Sequence, residues 1–429
     1  MSSPPLTPTP TPAPVPAPPS ADKDVRMSRD EIILDDKYDF TRRSEKKIKN
    51  LPDMTYTPTL EDIKKENVRM TDENDKYQVY SYDKCGNYST RRRKRMRGII
   101  FNKEGKLVSM GAPYTTEILS SEVGRVWEPD FTSVMGFRIA VEGAMIRVWY
   151  DDGEWYMSTN RRLNADISKW SSRVSFGKDF KSQLSKIYEM PEDEALDYFY
   201  SLLDKENQYT FILANNRENR IVCDTLQSRI YLVSVYSSTT FKPIHFTQKI
   251  KGILSPKFAE GISDNKSLTF YAKNLDPYLS PGLIAENADG TVVSILNNEY
   301  FRLFKLRGNV PSIRFRYLQV RCFPELINDF TNLYSDFRGD FEDYERVITL
   351  LVNYIYDAYV RRFIKREYVS VPPDCYLILK KCHENYKQDR IRNKISLHKV
   401  MDIIDILPPS KLNRMIRNWK HAEDKIFKS

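Results

Sequence analysis

The chain has 429 residues, 41% of them hydrophobic, which allows two or three packed domains and, with only 15 glycines, excludes a fibrous or collagen-like repeat. A formal net charge of +9 permits an acidic partner such as nucleic acid and is equally met by a solvated surface with paired charges. No stretch of 18 apolar residues is present and the N-terminus has no apolar signal core, so no membrane association is expected. Five cysteines without a Cys-x-x-Cys pair, and four histidines, exclude the usual zinc-site spacings and suit a reducing, cytoplasmic compartment.

Residues 1–27 are rich in proline, from Pro4-Pro5 to Pro18-Pro19. Proline at nearly alternate positions removes backbone donors and fixes φ, so this segment reads as a disordered or polyproline II tether, or as a docking tail for protein partners. Residues 28–76 form a charged preamble, in which Thr59 to Lys65 reads as a short helix. The basic run Arg91 to Arg97 fits a localisation signal, a nucleic-acid patch or a solvated edge. Gly98 to Met110 reads as a hairpin turning at Asn102 to Lys106. Ile139 to Tyr150 and Trp155 to Thr159 read as two strands around the Asp151 to Glu154 turn.

Phe180 to Leu203 has helical periodicity, whereas Tyr209 to Leu213 and Ile230 to Tyr236 read as buried strands. Lys249 to Ala259 is a connection in which Pro256 limits any helix. Pro281 to Ala285 and Thr291 to Leu296 pair across Asp289-Gly290. In Arg307 to Tyr317, Ile313, Phe315 and Tyr317 alternate as the inward face of a strand, with Arg314 and Arg316 outward. From Phe323 the period becomes helical, with helices expected over Asp340–Ile364, Cys375–Tyr386, Leu397–Ile406 and Lys411–Lys420.

Several of these stretches resemble, in order, the motifs of covalent nucleotidyltransferases of the T4 RNA ligase 1 type. Arg97-Gly98-Ile99-Ile100-Phe101 resembles the R-G-I-x-F element, and Val141-Glu142-Gly143 resembles the end of Lys-x-Asp/Glu-Gly. Asn219-Arg220-Ile221-Val222 resembles the second half of the third motif, and Pro281 to Tyr300 resembles the fourth and fifth. The Arg307 to Tyr317 run is similar to one in ligase-like proteins of large DNA viruses. The resemblance implies an α+β fold: an ATP-grasp-like RNA/DNA ligase nucleotidyltransferase domain of antiparallel sheets with flanking helices over 77–321. A C-terminal helical domain would occupy 322–429.

The resemblance also shows what has changed. Ala140 stands at the nucleophilic lysine, and a methyl group cannot attack a phosphate. Arg138 is no substitute, because a guanidinium stays protonated. Ile212 or Leu213 stands at the glutamate of the third motif and Pro281 at that of the fourth, and Ser294 and Leu296 stand at the two lysines of the fifth. The family's pattern implies a vestigial nucleotide pocket of Arg97, Glu142, Gly143, Asn219 and Arg220. The expected nucleic-acid contacts, to RNA or single-stranded DNA, are Arg92, Arg93, Arg95, Arg314 and Arg316. No metal site and no cofactor are expected. The main expectation is a non-catalytic nucleic-acid-binding or scaffolding protein. The alternatives are an active ATP- and Mg2+-dependent RNA ligase with a displaced lysine, and a virion or assembly protein, located in infected-cell cytoplasm or virion.

Overall fold

The computed structural model describes residues 47–214, 219–224, 227–244 and 249–428, with side chains to residue 422. The proline-rich tail and the start of the preamble lie outside them. The chain divides into two units, at Glu342/Asp343 within one helix.

The first unit begins where sequence and structure agree on a cap. The Thr59 hydroxyl accepts from the Asp62 N–H, Asp62 answers to the Thr59 N–H, and this box opens α1 (Leu60–Lys65). Four strands follow as one antiparallel sheet in chain order: β1 (Arg69–Glu73), β2 (Tyr77–Ser81), β3 (Ile99–Asn102) and β4 (Leu107–Ser109). The preamble is therefore part of the folded body, because Ile63 and Val68 are buried against Met96, Ile99 and Phe101.

Two further sheets complete the unit. Next in the chain are β5 (Thr116–Leu119), β6 (Val134–Ile139), β7 (Ala144–Asp151), β8 (Glu154–Ser158), α2 (Phe176–Tyr188), α3 (Glu192–Ser201), β9 (Asn207–Ala214), β10 (Arg229–Ser237), β11 (Pro243–Ile244), α4 (Asn265–Asn274), β12 (Gly282–Asn287) and β13 (Val292–Leu296). One sheet has the order β11-β10-β9-β7-β8 and the other β5-β13-β12-β6. All their pairings are antiparallel except β5 with β13, which is parallel. The turn at Asp151 to Glu154 is the β7–β8 hairpin. The expected strand from Ile139 to Tyr150, however, is two strands in different sheets. The chain leaves one sheet at Ile139 and enters the other at Ala144, and the four residues between are the loop with Ala140, Glu142 and Gly143.

Strand alternation sets each sheet's core. Ile146, Val148, Phe211, Leu213 and Ile230 face Phe180, Leu184, Ala195 and Phe199 of α2 and α3. On the other sheet Phe137, Leu283, Ala285, Val293 and Ile295 pack on Leu268 and Ala272 of α4. The helical stretch Phe180 to Leu203 is broken at Glu189, whose left-handed φ of 57° ends α2 ahead of Pro191.

After the sheets come α5 (Asn298–Arg307), α6 (Ile313–Val320) and α7 (Pro324–Leu333). The expected strand at Ile313 to Tyr317 is thus a helix. The Ser312 hydroxyl caps it by accepting from the Phe315 N–H, and arginine and leucine favour the helical state. Three apolar alternations were too few to tell a strand from one helical turn. These helices belong with the sheets, so the first unit runs past the expected boundary at residue 321.

The second unit is helical. It holds most of α8 (Arg338–Tyr359), then α9 (Pro373–Gln388), α10 (Leu397–Asp405) and α11 (Pro409–Lys428). Val347, Leu351, Ile355, Ile378, Leu379, Val400, Ile404 and Ile416 are buried, in keeping with the expected apolar faces. No helix among the described residues is long and apolar enough to cross a membrane.

Candidate functional site

The loop from Ala140 to Gly143 lies at the passage between two sheets. The Ala140 N–H donates to the Gly282 carbonyl at 2.9 Å, and the Ser280 hydroxyl donates to the Ala140 carbonyl at 2.9 Å. Gly143 passes so close to β9 that a Cβ would sit 2.3 Å from the Leu213 carbonyl oxygen. That approach explains the glycine. Of the two residues at the third-motif position, Leu213 points into the core and the Ile212 side chain lies against Gly143.

Glu142, at the wall of this passage, is held by backbone donors and one hydroxyl. One carboxylate oxygen accepts from Ile221 N–H at 2.8 Å and Val222 N–H at 3.1 Å. The other accepts from Val222 N–H at 3.0 Å, Cys223 N–H at 3.2 Å and the Tyr300 hydroxyl at 2.9 Å. Burial pushes the Glu142 carboxyl above its ordinary range, against the pull of these donors, and pushes the Tyr300 hydroxyl well up.

Asn219 and Arg220 fasten the same segment from the other side. The Asn219 side-chain oxygen accepts from the Ser171 and Ser172 N–H groups, both at 3.1 Å. The buried Arg220 guanidinium donates to the Leu333 carbonyl at 2.7 Å and pairs with Asp336 at 3.0 Å and Asp224 at 2.8 Å. The Tyr334 hydroxyl donates to the Ile221 carbonyl. Asn219 to Cys223 is therefore a strap tying the Glu142 loop to the end of α7.

A cavity of about 250 Å³ opens beside this loop. It brings together Ala140, Glu142 and Gly143 with Pro281, Ser294 and Leu296, which are distant in sequence. β12 and β13 position them: Leu283, Val293 and Ile295 take the core side, leaving Ile284, Ser294 and Leu296 on the cavity side. The remaining lining is Thr115, Glu117, Val141, Tyr300, Phe301 and Phe304. Two carboxylates and no lysine or arginine line it. A nucleoside triphosphate needs cations and an attacking amine here, so the residues present do not fit that group.

Arg97, Asn219 and Arg220 do not line this cavity. Arg97 lies half-buried, close enough to Arg147 for its charge to act on that side chain. Arg147 donates to the Gly98 carbonyl at 2.6 Å and to the Ser109 hydroxyl at 2.5 Å, and burial, then the Arg97 charge, push it down to about 9. Arg138 belongs to a neighbouring cavity of about 350 Å³, paired with Glu286 at 2.7 Å.

The expected nucleic-acid arginines are mostly committed to the fold. Arg93 donates to the Glu66 and Lys84 carbonyls, and Lys94 to the Asn50 and Asn87 carbonyls. Arg95 is 1% exposed and donates to the Phe241 carbonyl at 2.6 Å. Only Arg92 of the three is exposed, over the Tyr56 ring at 4.8 Å. Arg314 pairs with Asp340 at 2.8 Å, and the buried Arg316 donates to the Leu306 and Lys305 carbonyls. Of the five expected contacts, Arg95 and Arg316 are therefore buried and Arg93 is turned to carbonyls, while Arg92 and part of Arg314 stay exposed.

Tyr300, Glu117 and Arg147 escaped sequence reasoning. A tyrosine in a helix carries no sign of its partner. Arg147, set between Ile146 and Val148 in a buried strand, did offer a signal, as a charge inside an apolar run.

No protein-family model matches the chain. An immediate-early protein ICP-46 homolog of Invertebrate iridescent virus 3 is 30% identical over 305 residues, covering 66% of this chain and 63% of that one. The homolog of Invertebrate iridescent virus 6 is 25% identical over 357 residues, covering 76% and 77%. Immediate-early protein ICP-46 of Frog virus 3 is 25% identical over 191 residues, covering 42% and 48%. Among solved structures, a Naegleria gruberi RNA ligase mutant with ATP and Mn is 10% identical, covers 39% of this chain and 51% of that one, and has a TM-score of 0.29. A protein from Aquifex aeolicus named as an ATP-dependent DNA ligase is 12% identical, covers 77% and 79%, and has a TM-score of 0.39. Scores this low transfer no residue role and no reaction. The chain's relatives are thus ICP-46 proteins of large DNA viruses, and its structural neighbours are RNA and DNA ligases.

Proposed function

We propose that this chain is a ligase-like protein that does not transfer nucleotides and acts by binding. The observation that carries this reading is the lining of the cavity beside Ala140: a methyl group, a proline, a serine and a leucine stand at the resembling positions, with two carboxylates and no cation. Nucleotidyl transfer to the enzyme needs an amine nucleophile and positive charge around the triphosphate, and neither is supplied. Glu142, the retained acid, is occupied by backbone donors, which gives it a structural role. The name of the relatives, immediate-early protein, favours action in the infected cell over a part in virion assembly.

The test is incubation of the purified full chain with α-labelled ATP or GTP and Mg2+ or Mn2+, followed by denaturing electrophoresis. No covalent label is expected. An acid-labile, hydroxylamine-sensitive adduct on any lysine would overturn the reading and establish the active-ligase alternative.

A further inference from the structure

One stretch of the helical unit carries a large excess of positive charge. Residues 361–399 hold 11 lysines and arginines against 4 aspartates and glutamates, a difference of +7 within a chain of net charge +9. We propose that this part of the helical unit, around the Phe363–His383 ring stack, is a binding surface for single-stranded nucleic acid. The proposal names the partner of the non-catalytic reading and rests on it.

Several observations within the helical unit support it. Phe363 stacks on His383 with ring centres 3.9 Å apart and planes 10° from parallel. Tyr386 continues the column, its ring centre 6.2 Å from that of His383 at 28°. All three rings are partly exposed. Burial, then the nearby Lys387 and Arg390, hold the His383 imidazole below its usual range, so at neutral pH it presents a flat uncharged ring.

Cations surround the column. Lys365 and Arg366 come two and three residues after Phe363, and Lys387 and Arg390 act on His383. All four are exposed and form no ion pair among the described residues. The turn after α9 is fixed: the Asn393 side-chain amide donates to the Asn385 carbonyl at 2.9 Å and its N–H to the Asp389 carbonyl at 2.8 Å. That holds Arg390 at the end of α9.

Rings between unpaired cations are what a single strand requires: bases stack on the rings and phosphates meet the charges, with little dependence on sequence. The contrast is with Arg93 and Arg316, which donate to carbonyls of their own chain, and with Arg95, which is buried beneath the surface and reaches the Phe241 carbonyl.

The test is fluorescence anisotropy of the full chain with labelled 20-nucleotide RNA and DNA single strands across a salt series. Binding is expected, weakening as salt rises, with a slope of about −0.7 per phosphate contact. The triple variant Arg366→Ala, Lys387→Ala, Arg390→Ala should make that slope shallower by about 2, because three contacts are removed. His383→Ala should weaken binding about fivefold or more with the slope unchanged, and His383→Phe should restore it. Circular dichroism confirms that each variant is folded. An unchanged slope in the triple variant overturns the proposal. So does binding to phosphatidylserine vesicles, or to an acidic peptide, with none to either strand. Failure here leaves the labelling result standing, and a covalent label leaves the strand-binding result standing, so the two readings fall separately.

Discussion

The Tyr300 hydroxyl donates to the Glu142 carboxylate across 2.9 Å, joining the loop between two sheets to the first turn of α5. With three backbone N–H groups on the same carboxylate, Glu142 is a structural node. Glu142→Ala leaves those donors unpaired, and a loss of about 3 kcal/mol or more is expected, against about 1–3 kcal/mol for Tyr300→Phe. Urea unfolding of both variants checks the order. Equal and small losses would show that the node does not hold the fold.

Gly143 has no room for a methyl group. A Cβ would lie 2.3 Å from the Leu213 oxygen and 2.7 Å from the Ile212 side chain, and the first of these is backbone in the middle of a sheet. Gly143→Ala should lower stability by about 2 kcal/mol or more, read as a fall in thermal midpoint. Gly153, at the tip of the β7–β8 turn, has nothing within 4 Å but a φ of 83°, so its alanine variant meets backbone strain alone and should lose about 1 kcal/mol.

Much of this arrangement was legible in the sequence, and the reasons for the failures are specific. The hairpins at Gly98–Met110 and Asp151–Glu154 announced themselves by turn residues between alternating runs. The set Ala140, Pro281, Ser294 and Leu296 was legible because a resemblance aligned residues that the fold then gathers round one cavity. The break between Ile139 and Ala144 was not, because both flanks are apolar and β-prone, and periodicity does not record a change of sheet. Arg95 and Arg316 misled for a different reason. A buried guanidinium turned towards backbone carbonyls looks, in sequence, the same as one facing a phosphate.

A lysine at position 140 alone should not support nucleotidyl transfer. Ala140→Lys would place an amine in a cavity that still holds Pro281, Ser294 and Leu296 and lacks any other cation. The expected outcome is no nucleotide adduct in the labelling assay with Mg2+ or Mn2+. Adduct formation by this single variant would mean that the cavity holds a triphosphate site, and that Ala140 alone stands against transfer.

The inward turn of the basic run makes its own prediction through pH. Lys94 is fully buried, donates to the Asn87 carbonyl at 2.6 Å and to the Asn50 carbonyl, and lies 5.7 Å from the centre of the Tyr114 ring. Burial pushes its ammonium down to about 8. An unfolded chain holds the same proton until about 10.4. Between these values the unfolded state binds more protons than the folded state, so this residue's titration makes stability rise with pH. Below about 8 both states are protonated and the slope vanishes. Lys94→Met removes the effect, although it leaves two carbonyls unpaired at every pH. Stability of the natural chain minus that of the variant should therefore climb from about pH 8 to about pH 10, by up to about 1.4 kcal/mol per pH unit. Buried tyrosines and thiols, which lower stability in alkali, are common to both proteins and cancel in the difference. Urea midpoints at intervals from pH 7 upwards give the curve. A flat difference would mean that Lys94 reaches solvent, and that the basic run is open to a polyanion after all.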